Sequence, residues 1–179
     1  GHDNAAGANA GRVRVYARAS GAWTQRGDDL LGTATGDRSG TSVALSADGQ
    51  HVAIGSPTHS GPHSTSVNAG EVRVFAWSGS AWEARGASLL GAAPYDFSGA
   101  SVALSADGLL LAVGAPGHAS NRGHVRLWEW VGATQWSLHT TIDGAQAGER
   151  SGLSVAMDAA GSLLAVGAPT HVSAPGTLG

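Results

Sequence analysis

The sequence SVALSADG at residues 42–49 occurs again, unchanged, at residues 101–108. A looser third copy, SVAMDAAG, occupies residues 154–161, so the copies begin 59 and then 53 residues apart. Two other segments recur in the same phase, one ending at Pro57, Pro116 and Pro169 and one beginning at Gly11, Gly70 and Gly123. A repeat of this period indicates several stacked copies of one supersecondary unit.

Each repeat contains four short apolar runs, which predict four antiparallel strands. In the best-preserved part they occupy residues 42–45, 52–54, 72–74 and 82–90. An Asp-Gly turn joins the first two runs and is a strong hairpin signal, because both residues tolerate the positive φ of a type I′ turn. The apolar positions alternate with a period of two, and no segment has the 3.6-residue period of an amphipathic helix.

Four antiparallel strands in about 50–60 residues match the size of one β-propeller blade. We therefore predict an all-β chain, a β-propeller built from four-stranded antiparallel blades, with about three repeats. In chain order we expect strands three and four of a first blade, a second blade, a third blade, strands one and two of a last blade, and a tail. These units cover about 11–32, 40–91, 99–144, 152–169 and 170–179.

Composition excludes several classes of protein. The 179 residues include no Cys, which excludes a disulfide framework and a thiolate metal site. Only 13% of residues are charged and 42% are hydrophobic, which excludes disorder driven by charge. The ten cations, all Arg, are dispersed among thirteen acidic residues, so we predict no nucleic-acid partner. No apolar run reaches roughly 18 residues, and we predict no membrane span.

Two short motifs in the second repeat are informative: FSGASV at residues 97–102 and GAP at residues 114–116. With these motifs, the stretch from Trp82 to Pro116 resembles an FG-GAP-type repeat, the blade unit of integrin α-subunit propellers and many microbial and algal surface proteins. The other copies are looser, with Arg38 and Arg150 in place of the Phe. The resemblance implies a propeller fold, a binding or adhesion role, and an extracellular or cell-surface setting.

The resemblance also implies a place to look for calcium, because family propellers often bind Ca²⁺ through several Asp in the hairpin loop between a blade's first two strands. The corresponding turns here, at residues 47–50, 106–109 and 159–162, hold at most one carboxylate each. Ca²⁺ takes six to eight oxygen ligands. We therefore predict no calcium at these turns, and no cofactor.

Histidines recur in phase after the repeated Pro, at His59, His118 and His171. We expect them on the loops between strands two and three, on the face that the resemblance makes the ligand-binding one. A ring of imidazoles can bind a transition metal or respond to pH. Alternatively, each His caps its own loop by bonding the backbone. We favour this second interpretation, and no metal site, because successive repeats hold equivalent loops apart. Four unphased histidines are predicted at the surface: His51, His63, His124 and His139.

Acidic residues also recur in phase, at Asp37, Asp96 and Glu149. Short acidic side chains commonly bond the backbone N–H groups of a turn, and this is the interpretation we favour. The alternative is that they line the partner-binding face with the phased histidines.

The aromatic and cationic side chains are phased as well. Trp23, Trp82 and Trp136 are expected to fill the gap between blades. Trp77 and Trp130 are better candidates for exposed partner contacts, although packing between blades is the interpretation we favour for them too. A third phased set lies on the third strand: Arg14, Arg73 and Arg126. These arginines either form a row for an anionic partner or pack their stems on an aromatic ring with the head in water, and we favour the latter.

No motif supports catalysis, since the chain lacks a Gly-x-Ser-x-Gly elbow and a paired-carboxylate pattern. We therefore predict a non-enzymatic binding or adhesion module for a protein or glycan partner. A structural subunit of a larger assembly is the alternative, and a propeller hydrolase or lyase is less favoured. Because propellers need about four to eight blades, we expect a segment of a longer chain, or two copies joined head to tail.

Overall fold

The computed structural model describes residues 6–61 and 66–172, whose regular structure is almost entirely β-strand. In chain order the strands are β1 (Arg12–Val13), β2 (Tyr16–Ala19), β3 (Ala22–Gln25), β4 (Leu30–Leu31), β5 (Ser42–Leu45), β6 (His51–Ser56), β7 (Glu71–Trp77), β8 (Trp82–Ala84), β9 (Leu89–Leu90), β10 (Ser101–Leu104), β11 (Leu110–Ala115), β12 (His124–Val131), β13 (Gln135–Asp143), β14 (Ser154–Met157) and β15 (Leu164–Gly167). A helical turn, α1 (His118–Asn121), follows β11.

Two large antiparallel sheets form the middle of the chain. The first sheet has the order β5-β6-β7-β8, with β9 also paired to β7, and the second sheet has the order β10-β11-β12-β13. Their second strands, β6 and β11, are buried on both faces after their first residue. A strand buried on both faces needs a neighbouring layer on each side, so these sheets are packed between others.

Smaller strand pairs flank the two large sheets. At the N-terminal side, β1 pairs with β4 and β2 pairs with β3, so the predicted third strand is interrupted around Arg14. At the C-terminal side, β14 and β15 form a hairpin. All the strand pairs are antiparallel, as the alternating sequence pattern predicted.

Hydrophobic cores lie between consecutive sheets. Val72 and Leu89 of the first sheet pack with Leu111 and Val113 of the second. A second core joins the N-terminal strands to β6, and a third joins the second sheet to the C-terminal hairpin. A fully buried side chain such as Leu111 contributes about 1.5–3 kcal/mol through the hydrophobic effect. Because every core is shared between two sheets, no sheet buries its apolar face by itself.

Close backbone approach explains why small residues recur in phase. A Cβ atom on Gly55 would lie 2.1 Å from the carbonyl oxygen of Gly99, and one on Gly114 would lie 2.0 Å from that of Gly152. The hydroxyl of Ser101 donates to the same Gly152 carbonyl at 2.8 Å. The repeated Gly and Ser therefore permit a sheet to pack closely against the segment that leads into the first strand of the next one.

The two Asp-Gly turns, at Asp48-Gly49 and Asp107-Gly108, differ from the predicted type I′ geometry. Only Gly49 and Gly108 have positive φ there, at 64° and 68°, so the preceding Asp is not left-handed. Instead, Asp48 Oδ1 accepts hydrogen bonds from the Ser46 hydroxyl at 2.6 Å and the backbone N–H of Gln50 at 2.9 Å. These bonds lower the pKa of Asp48, since they stabilise its ionised form. The Asp shapes the turn through its side chain.

The all-β class and its antiparallel strands are confirmed. The described strands do not close into a barrel or a propeller ring, and the propeller architecture with its blade boundaries remains a prediction.

Candidate functional site

The phased histidines and the phased acids, predicted separately, meet in pairs. The Nδ1 atom lies 3.0 Å from a carboxylate oxygen in His59–Asp37 and in His118–Asp96, and 2.9 Å in His171–Glu149. In each pair the acid lies on the loop before the first strand of a sheet or hairpin, and the His follows the second strand. The repeat thus builds three equivalent His–carboxylate pairs, each local to one repeat.

The acids are buried and also hold the adjacent turn. Asp96 is 1% exposed, and its Oδ2 atom accepts hydrogen bonds from the backbone N–H groups of Ala92 at 3.1 Å and Ala93 at 2.9 Å. Asp37 does the same with Thr33 and Ala34. The acids therefore use one oxygen to cap a turn and the other to orient an imidazole. The histidine side chains face this second oxygen instead of capping their own loops.

His124 is the functional candidate that the sequence reasoning missed. It was predicted at the surface but is only 3% exposed, as the first residue of β12. Its ring stacks on His118 at a centroid distance of 4.1 Å, and its Nδ1 atom lies 3.9 Å from Asp143 Oδ1. The equivalent position of the preceding repeat holds the buried Glu71. The recurrence of a polar residue at this repeat position was the signal available in the sequence.

The other unphased histidines differ from one another. His51 is partly buried, and burial lowers the pKa of its imidazole, with the charge of Arg85 acting in the same direction. His139 is exposed, as predicted. His63 and residues 173–179 of the predicted tail lie outside the described residues.

Stability is expected to depend on pH through His124. Burial lowers the pKa of His124 to about 4, the charges of His118 and Arg126 act in the same direction, and Asp96 and Asp143 oppose them. In the unfolded chain the imidazole has a pKa of about 6.5 and binds protons more readily. The free energy of unfolding should therefore fall as the pH decreases from about 6.5 to about 4, with about 3 kcal/mol attributable to His124.

Urea unfolding at several pH values, with a chelator present, tests this expectation. The His124→Gln variant should lack this part of the pH dependence, because glutamine does not titrate. An identical pH profile in the variant and the wild type would contradict the assignment.

Two of the phased arginines join neighbouring sheets, which corrects the expectation that their heads lie in water. Arg126 is 8% exposed and donates to the Leu90 carbonyl at 2.7 Å and the Ser98 hydroxyl at 3.1 Å. Arg73 donates to the Leu31 carbonyl at 2.7 Å in the same way. The packing on an aromatic ring was predicted correctly, since the Arg126 guanidinium lies 5.4 Å from the Trp128 ring centroid. These two side chains therefore link neighbouring sheets through hydrogen bonds.

Trp77 and Trp130 are half-buried and pack between repeats, which agrees with the interpretation we favoured over exposed partner contacts. Trp130 meets Trp136 edge to face at 5.3 Å, and the guanidinium of Arg85 lies over its ring at 4.7 Å. Trp77 has the same arrangement with Trp82 and Arg26. Each ring is thus packed against an arginine of the preceding repeat.

A groove of about 310 Å³ lies where loops of three repeats converge. Arg38, Phe97 and Arg150 line it from equivalent positions, each directly after a phased acid, and Leu153 adds an apolar side chain. All three backbones are left-handed, with φ of 53°, 53° and 58°. This conformation is uncommon for residues other than Gly and accompanies functional sites. Within residues 6–61 and 66–172, neither guanidinium forms an ion pair or a hydrogen bond.

The chemistry available to the His–carboxylate pairs is limited. Such a pair can orient an imidazole as a general base, but a nucleophile must then lie within hydrogen-bond reach. Across the described part of the chain, none of the three imidazoles hydrogen-bonds a serine or threonine hydroxyl.

Within residues 6–61 and 66–172, no helix is long and apolar enough to cross a membrane. A scan against protein-family models finds no match, and a search of the curated proteins finds none either.

Proposed function

We propose that this chain is a non-enzymatic binding or adhesion module whose sheets are blades of an FG-GAP-like β-propeller. The repeated sheet order and the shared cores support this architecture. The first strands β5, β10 and β14 are also neighbours in space, as the innermost strands of adjacent blades are. A parallel bridge recurs between consecutive repeats, at Gly11–Ser39, Gly70–Ser98 and Gly123–Ser151.

The groove lined by Arg38, Phe97 and Arg150 is the observation that carries the binding function. Its volume lies at the lower end of the range of roughly 300–1,000 Å³ typical of ligand pockets. Two exposed guanidinium groups beside an apolar ring and Leu153 suit a ligand that presents an anionic group and an apolar face. A protein or glycan partner with carboxylate or sulfate groups has this chemistry.

A non-enzymatic role is supported by the way the phased polar groups are used. The acids are occupied by turn N–H groups and imidazoles, and Arg73 and Arg126 are occupied by carbonyl groups of the neighbouring sheet. These contacts serve the scaffold, which leaves the groove side chains to contact a partner. The extracellular or cell-surface setting rests on the family resemblance alone.

Binding to immobilised sulfated, sialylated and neutral glycans tests this proposal. We expect binding to acidic glycans, and we expect the Arg38→Ala/Arg150→Ala double variant to weaken it at least about tenfold, since each charged hydrogen bond contributes about 1.5–3 kcal/mol. Arg18→Ala is the matched control, because Arg18 is exposed but lies outside the groove. Equal losses in both variants would indicate non-specific charge attraction and contradict the groove as the site.

A structural role in a larger assembly is the second candidate, and one observation favours it. Trp23 is 67% exposed, although its counterpart Trp136 is 8% exposed. The indole N–H groups of Trp82 and Trp136 donate to carbonyls of the preceding repeat, those of Arg26 and Arg85. A second copy joined head to tail, or further repeats, would cover Trp23 in the same manner.

A further inference from the structure

Three side chains with metal-binding atoms converge beside the second sheet. One donor atom each from Asp96, His118 and His124 lies within 4.8 Å of the others. Asp96 comes from the loop before β10, His118 begins α1 and His124 begins β12. Three separate segments therefore bring their donor atoms close together.

His124 provides an independent indication of a ligand. The residue is 3% exposed, and its Nε2 atom is buried without a hydrogen-bond partner among the described residues. Nearly all buried polar atoms in folded proteins have a partner, so an unpaired one requires an explanation. An imidazole nitrogen with a free lone pair is the commonest protein ligand of transition metals. A metal ion would satisfy this atom.

The surroundings hold the ligands in place. Asp96 is fixed by the N–H groups of Ala92 and Ala93 on Oδ2, which leaves Oδ1 directed at His118. Asp143 Oδ1 lies 3.9 Å from Nδ1 of His124, the nitrogen not needed for a metal bond. Metal-ligating histidines usually donate their second N–H to a carboxylate or carbonyl. Asp143 is close enough to accept this bond after a small rotation but is not hydrogen-bonded to His124 in the structure. The side chain of His118 is 28% exposed, so the cluster is open to solvent on that side.

We propose that Asp96, His118 and His124 bind one divalent transition-metal ion, for which Zn²⁺ is the probe. Two imidazole nitrogens and one carboxylate oxygen suit Zn²⁺, and water would complete four-coordination. Metal–ligand bonds of about 2.0–2.2 Å place tetrahedral ligands about 3.4 Å apart. Side-chain rotations that exchange the His118–Asp96 hydrogen bond for metal bonds would bring the donors, now within 4.8 Å of one another, to this spacing. This site lies within one repeat and is distinct from a ring formed by His59, His118 and His171.

The preceding repeat explains why we expect one such site in the described chain. There the equivalent residues are Asp37, His59 and Glu71, with His59 Nδ1 4.0 Å from Glu71 Oε2. The Nε atom of Arg73 lies 3.6 Å from the same oxygen. A fixed cation already neutralises that carboxylate, whereas His124 is a neutral nitrogen donor in the second sheet.

Calorimetric titration of the tag-free, chelator-treated chain with ZnCl₂ tests the proposal. We expect one Zn²⁺ per chain. His118→Gln and His124→Gln should each weaken binding by more than about tenfold, because the loss of a residue that only hydrogen-bonds a metal ligand already weakens binding about tenfold or more. His59→Gln, in the equivalent pair, and the exposed His139→Gln should bind as the wild type does. Ca²⁺ should not compete, because it prefers oxygen ligands.

Co²⁺ provides a second readout, since its visible absorption reports nitrogen ligation directly. The band should appear with the wild type and His59→Gln and be lost with His118→Gln. The His118 side chain is partly exposed, so this substitution should leave the fold intact. Circular dichroism spectra of each variant serve as the control for folding. Failure of the folded wild type to bind Zn²⁺, or unchanged binding in both site variants, would overturn the proposal. Neither result depends on the glycan-binding assays.

Discussion

Replacing Trp136 with alanine is expected to lower the free energy of unfolding by about 3–5 kcal/mol, whereas the same change at Trp23 should alter it by less than about 0.5 kcal/mol. The two residues occupy equivalent repeat positions. Trp136 is 8% exposed in the core between the two large sheets, and its indole N–H donates to the Arg85 carbonyl at 2.9 Å. Trp23 is 67% exposed.

Chemical unfolding of both variants, with molar mass measured by light scattering, checks this prediction. Trp82→Ala is a further comparison, because Trp82 makes the equivalent bond to the Arg26 carbonyl at 2.8 Å. The prediction for a single chain would be contradicted if Trp23→Ala lowered the free energy of unfolding strongly. It would also be contradicted if the wild type had the molar mass of two chains and the substitution reduced that mass. That result would instead support head-to-tail assembly.

The second large effect concerns Arg126. We expect Arg126→Met to lower the free energy of unfolding by about 2–4 kcal/mol, since methionine preserves the apolar stem but removes both donors. The Leu90 carbonyl and the Ser98 hydroxyl would lose their guanidinium partner at a nearly buried position. A hydrogen bond to a charged group contributes about 1.5–3 kcal/mol, and a buried acceptor left unpaired costs about 1–3 kcal/mol.

Arg14→Met is the matched control at the same repeat position. Arg14 is exposed, and its Nε donates to Asp29 Oδ1 at 2.9 Å. Exposed ion pairs of this kind are screened by solvent. The free energy of unfolding of Arg14→Met should therefore equal that of the wild type within the scatter of the measurement. Equal destabilisation by the two substitutions would show that the hydrogen bonds from Arg126 to the neighbouring sheet do not cause the loss of stability.

The strands and turns were largely predictable, because their signals are local. Alternation placed β5 and β6 on either side of the Asp48-Gly49 turn, and the structure has them there. The turn type was wrong because Asp48 acts through its carboxylate, a choice that the dipeptide does not reveal. The strand pattern therefore identified the hairpin but not its backbone geometry.

The candidate site was predictable only in part. The phase identified His118 and Asp96 as repeated residues, yet nothing in their spacing of 22 residues showed that they touch. His124 was misplaced at the surface because its neighbours in sequence say little about what covers it. His118 of α1, Asp143 of β13 and Asp96 of the loop before β10 lie near its ring, and their approach depends on how the chain folds back on itself.

The amino-acid sequence by itself determined the all-β class, the repeat and the phase of its polar residues, because alternation and turn chemistry act over a few residues. Only the tertiary structure decided which copy of each repeated side chain is buried. Trp23 and Trp136, like Arg14 and Arg126, occupy equivalent positions but have opposite exposure. The physical reason is that burial depends on the neighbouring sheet, and the repeats do not all have the same neighbours.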